Sequence, residues 1–167
     1  MTLATSVWQG HRTSSWPRAV VGGFLGTLAM TALLYMGPLM GFPPMDIPAL
    51  LGTMFVNDMG AAFWLGLVMH FLIGSMFLAL VYAYLVAPRL KGPGWLRGAL
   101  YSLFPWLAMM VMVLPMMNMI HPLISTGSMM GPGFFAANLG PMGAVGALIG
   151  HLIYGIVLGA YYSRGTL

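Results

Sequence analysis

Residues 61–86 read AAFWLGLVMHFLIGSMFLALVYAYLV, a run with no Lys, Arg, Asp or Glu and a single imidazole, His70. At ~1.5 Å of rise per residue, such a run exceeds the roughly 30 Å hydrocarbon core of a bilayer. Three further runs of the same character occupy residues 19–40, 98–120 and 142–162. The composition agrees: 60% of the 167 residues are apolar and 5% are charged, against roughly a quarter charged in soluble domains. Too few charges remain to cover a water-soluble surface. The sequence therefore predicts an all-α polytopic membrane protein, a four-helix bundle (residues 18–167) behind a short cytoplasmic N-terminal tail (residues 1–17). The first run is longer than a signal-peptide core of roughly 7–15 residues and lacks a small-residue cleavage region, so it reads as a retained span.

The basic residues set the expected orientation. Arg12 and Arg18 precede the first run, Arg89, Lys91 and Arg97 separate the second from the third, and Arg164 follows the fourth. Both acids, Asp46 and Asp58, lie in the opposite connection. The positive-inside rule then places both termini in the cytoplasm. Because these cations flank spans instead of clustering on one polar face, they do not describe a nucleic-acid surface. With no cysteine, disulfides, thiolate metal sites and cysteine nucleophiles are excluded.

The connections on the acidic side are apolar where solvent loops would be polar. Asp46 followed by Ile47 and Pro48 reads as an N-cap opening a short interfacial helix. Residues 121–140, broken by Pro122, Gly127, Gly131, Pro132, Gly133 and Gly140, read as mostly irregular. Pro105 and Pro115 within the third span predict kinks and freed carbonyls.

The two halves of the chain look duplicated. Arg18 falls on Arg97 at an offset of 79 (97 − 18), and Leu67, His70 and Gly74 fall on Leu148, His151 and Gly155 at 81 (151 − 70). Two helical hairpins in parallel repeat follow from this, with a pseudo-twofold along the membrane normal. His70 and His151 would then lie at similar depth and could face each other.

An ionisable residue inside a span is costly to bury and is a functional candidate by default. A matched histidine pair suits the axial ligation of a b-type haem in a redox or electron-transfer role. Gly74 and Gly155, with Gly66 and Gly150, would give the macrocycle room. Propionates would find no Lys or Arg on the acidic side, where only Asn57, Asn118 and His121 stand ready. A small metal ion or proton-linked site is the second chemical reading. The structural alternative has each imidazole bonded to Thr27, Thr31 or a carbonyl freed near Pro105 or Pro115, worth about 0.6–2 kcal/mol. Small-xxx-small pairs (Gly22/Gly26, Gly146/Gly150, Gly155/Gly159) suit close helix packing without any cofactor.

The 18 methionines raise a further option. His121 with Met117 and Met119 could form a soft Cu(I) site, whereas methionines scattered deep in the spans fit gap filling. Hydrolytic and phosphate-binding motifs are missing, so a stand-alone enzyme is not expected.

The order Gly37-Pro38-Leu39-Met40-Gly41-Phe42-Pro43-Pro44-Met45-Asp46-Ile47-Pro48, then Met69-His70-Phe71, Pro105-Trp106, and Gly150-His151 with Tyr154-Gly155, resembles a family of small bacterial four-span membrane proteins of unknown function, over about residues 18–162. The resemblance implies a bacterial inner-membrane location. Three functional classes therefore stand: a cofactor-binding protein using His70 and His151, an accessory or scaffolding subunit in a homo-oligomer or larger membrane complex, and a small oligomeric transporter.

Because the chain lacks cysteine, single introduced thiols report orientation directly. Ser128→Cys should react with a membrane-impermeant maleimide on intact cells, and Lys91→Cys only after permeabilisation. The reverse pattern would invert the assigned topology.

Overall fold

The computed structural model describes residues 15–164, so Trp8, His11, Arg12 and most of the predicted tail lie outside the described residues. Helix α1 spans Trp16–Met36 and continues as a 3₁₀ turn, Gly37–Met40. The short α2 follows at Ile47–Gly52. Helix α3, Met59–Val86, contains two wide π-helical segments at Ile73–Leu78 and Tyr82–Val86. Helix α4, Gly94–Ile120, contains a third at Met109–Val113. After the four-residue α5 (Pro122–Ser125) and a 3₁₀ segment at Phe134–Leu139, helix α6 runs over Pro141–Ser163. Among the described residues the chain is all-helical, and α1 with its 3₁₀ turn, α3, α4 and α6 are each long and apolar enough to cross a membrane.

The boundaries follow from local chemistry. Asp46 caps α2 by accepting from the Ala49 N–H at 2.9 Å, as its sequence predicts, and Asp58 caps α3 through the Ala61 N–H at 2.7 Å. Both carboxylates are spent at helix starts, where the backbone donors are unpaired. The first long helix stops at Gly41, whose φ of +87° suits glycine. The region 121–140 is more ordered than its glycines and prolines suggest, with α5 and the 3₁₀ segment inside it. That segment carries Phe135 and Ala136 at φ of 55° and 56°.

Helix α6 lies antiparallel between α1 and α4, and glycines make both contacts. A Cβ on Gly22 or Gly26 would meet the Leu158 or Tyr154 carbonyl of α6, at 3.2 and 2.7 Å. Gly98 of α4 lies against the Gly155 carbonyl, and Gly94 against that of Gly159. Helix α3 closes on the other side of α1, where Gly23 faces Ala79 and the Gly74 carbonyl. These contacts put Arg18, Arg97 and Arg164 at one end of the molecule and Asp46 and Asp58 at the other. Near the basic end all four long helices share a core that includes Ala19, Ala79, Tyr82, Tyr101, Tyr154 and Leu158. Toward the acidic end α2 packs on α3, with Gly66 against the Pro48 carbonyl and Gly52 against that of Ala62.

The wide turns of α3 interrupt the regular hydrogen-bond ladder, and buried tyrosines answer them. Tyr154 Oη donates to the Gly74 carbonyl at 2.8 Å, and Tyr101 Oη to that of Leu78 at 2.7 Å. In α4 the wide turn falls between Pro105 and Pro115, the prolines expected to disturb that helix.

Gly98→Ala should lower stability by about 1–3 kcal/mol, because its methyl group would enter the Gly155 backbone, whereas Gly60→Ala at the start of α3, whose methyl group would make only an ordinary contact with Asp58 Oδ1 at 3.4 Å, should be neutral or stabilising. Thermal unfolding in mild detergent compares the two.

Candidate functional site

His70, on the buried side of α3, reaches α1. Its Nε2 lies 3.2 Å from Thr31 Oγ1. The Thr31 hydroxyl already donates to the Thr27 carbonyl at 2.7 Å, so its oxygen accepts from His70 Nε2–H. The network therefore assigns the Nε2–H tautomer to His70 and leaves Nδ1 with a lone pair that no described residue engages.

His151, buried in α6, has the opposite arrangement. Its Nδ1 lies 2.8 Å from the Ala147 carbonyl one turn earlier. A carbonyl only accepts, so Nδ1 carries the proton and Nε2 keeps its lone pair, unengaged among the described residues. The two rings are close enough that the charge of one bears on the other. Sequence offered Thr27, Thr31 and carbonyls near Pro105 and Pro115 as partners. Thr31 takes that role for His70, Thr27 instead donates to the Gly23 carbonyl at 2.8 Å, and His151 uses its own helix.

The glycines expected to make room for a macrocycle are occupied by protein. A Cβ on Gly74 would strike Thr27 Oγ1, and one on Gly155 would strike the Gly98 carbonyl and Ser102. Gly66 lies on the Pro48 carbonyl. Gly150, the residue before His151, instead meets Met30, whose Sδ is 3.8 Å from the site a Cβ would take. A thioether one residue before Thr31 thus lies beside the residue before His151. Composition alone had no means to separate Met30 from the other methionines of the spans.

The second candidate cluster is structural in form. His121 is fully buried at the end of α4, and its Nε2 sits 3.1 Å from both Thr53 Oγ1 and the Leu50 carbonyl. Its Nδ1 accepts from the Leu123 N–H at 3.2 Å. Since Thr53 Oγ1 donates to the Ala49 carbonyl at 2.6 Å, the Nε2–H is shared between two acceptors and both ring nitrogens are committed. Met117 is buried while Met119 is 80% exposed, so the three residues read together in the sequence do not present a common face. What His121 does is tie α2 to the end of α4. Among the described residues no three His, Asp or Glu side chains group to hold a metal ion.

These features define an all-helical protein with four membrane-length apolar helices and a histidine pair inside them. The family model described as "Family of unknown function (DUF6789)" matches residues 13–166, and the chain belongs to that family. No curated protein and no solved structure matches it.

His121→Ala should cost about 1–3 kcal/mol, the penalty of leaving the buried Thr53 and Leu50 oxygens without a donor. Proteolysis of the α2 segment in detergent should accelerate with it.

Proposed function

We propose that this chain is a small, non-catalytic membrane protein that holds a single soft metal ion, Cu(I), between His70 and His151, with Met30 supplying a thioether. The observation that carries the proposal is the pair of unengaged lone pairs. Each imidazole has its N–H tied to a protein oxygen, as metal-ligating histidines usually do, and keeps the other nitrogen without a hydrogen-bond partner among the described residues.

Charge decides among ions. Two imidazoles and a thioether are neutral, so a bound divalent ion would leave two uncompensated charges in a low-dielectric interior, whereas Cu(I) leaves one. Imidazole and thioether donors also suit Cu(I). A haem b between the same nitrogens is supported less well, since Thr27, Gly98 and Ser102 occupy the space at Gly74 and Gly155. The scaffolding reading is favoured by one specific observation: both histidine donors are satisfied without a ligand.

Protein purified in detergent and loaded with Cu(I) under reductant should retain about one equivalent against a chromophoric chelator. His70→Ala and His151→Ala should each abolish retention, and Met30→Leu should weaken it. Folded protein that binds no more copper than the double histidine variant would overturn the proposal. A Soret band lost in both histidine variants would reassign the site to haem.

A further inference from the structure

Outside the histidine site, the basic end of the molecule gathers cations that no acidic side chain among the described residues balances. Arg97 is half-buried and bonds only neutral groups: one terminal nitrogen donates to the Ala87 carbonyl at 3.0 Å, the other to Ser163 Oγ at 2.9 Å. Its Nε–H is buried with no acceptor. Arg18 and Arg97 both lie within electrostatic reach of Tyr162, and Arg164 is exposed beside them at the end of α6. The chain has two acids, Asp46 and Asp58, and both cap helices at the other end. Among the described residues no acidic side chain lies at this end.

Beside it, an apolar groove of about 240 Å³ runs between α1 and α6, lined by Leu25, Ile156, Val157, Ala160, Tyr161 and Arg164. Register puts two guanidiniums at its mouth. Arg18, Gly22 and Leu25 follow at i, i+4 and i+7 on one face of α1. The Cβ position of Gly22 lies 3.4 Å from the Tyr161 ring, and Arg164 follows Tyr161 by one turn. Arg18 and Arg164 therefore stand at one level, just beyond the groove's end.

We infer that this groove takes an acyl chain of an anionic phospholipid whose phosphate rests between Arg18 and Arg164. Apolar walls ending in cations, with no acidic side chain among the described residues at that end, match the lipid's own sequence of hydrocarbon then phosphate. Basic pockets between helices at the membrane surface bind anionic headgroups in this way. A partner helix seated in the groove would have to bring its own carboxylate to the same mouth.

The test compares retention of phosphatidylglycerol and phosphatidylcholine by the full chain in mild detergent, read by native mass spectrometry. Phosphatidylglycerol should be held about tenfold more strongly, a preference that falls with added salt. Arg18→Gln with Arg164→Gln should remove most of that preference. Ala160→Phe, which fills the groove and keeps the charges, should lose the bound lipid while the protein keeps its gel-filtration profile. Equal retention of the two lipids, or inorganic phosphate displacing phosphatidylglycerol at equal concentration, would overturn the inference. So would a chain dimer that excludes lipid from the groove.

Discussion

The backbone of α6 approaches the backbones of α1 and α4 so closely that a single methyl group would not fit at Gly98 or Gly155, and the rest of the molecule is arranged around that approach. Lipid tails are as apolar as leucine, so helices in a bilayer gain nothing from hydrophobic exclusion and associate through close packing and hydrogen bonds. Glycine supplies the first by removing the side chain that would hold the backbones apart. Because α6 sits against α1 at Gly22 and Gly26, the turns beyond those contacts bring Gly150, the residue before His151, beside Met30. The height of His151 against α1 is thus set by glycine packing about one turn away.

The second constraint is that buried polar groups must find partners inside the protein. The hydroxyls of Thr27 and Thr31 bond back to Gly23 and Thr27 one turn earlier, which leaves the Thr31 oxygen free to accept from His70. Tyr154 and Tyr101 reach from two other helices to the carbonyls of the wide turn in α3. Those bonds fix α3 at Gly74, one turn beyond His70, and so hold its imidazole at a set height against α1. Ser75 Oγ and Tyr82 Oη are the buried hydroxyls of α3 without a partner among the described residues.

Much of this was legible in the chain. Read spans of 19–40, 61–86, 98–120 and 142–162 compare with helices at Trp16–Met40, Met59–Val86, Gly94–Ile120 and Pro141–Ser163, because length and hydropathy are what a bilayer selects. The Asp46 cap was legible since it depends on neighbours in sequence. The three π-helical segments were not, because a wide turn is stabilised by partners on other helices, as Tyr154 and Tyr101 show. Glycine positions announced close packing without saying which backbone would fill each gap, so Gly74 and Gly155 read equally well as room for a macrocycle. His121 lay in a stretch read as irregular, and its burial depends on α2 folding back from far earlier in the chain. Its two committed nitrogens separate it from His70 and His151 more clearly than sequence context could.

The histidine pair and the basic end share one feature: among the described residues neither has an acidic side chain beside it. At the histidine pair the chain presents only neutral donors, so a cation bound there keeps its own charge and each added unit raises the cost of burial. At the basic end the described residues present Arg18, Arg97 and Arg164 with no acidic side chain beside them. The two acidic side chains, Asp46 and Asp58, are both spent as helix caps at the opposite end. A ligand at either place would therefore have to match what the chain presents there: neutral donors between the long helices, and guanidiniums at the rim.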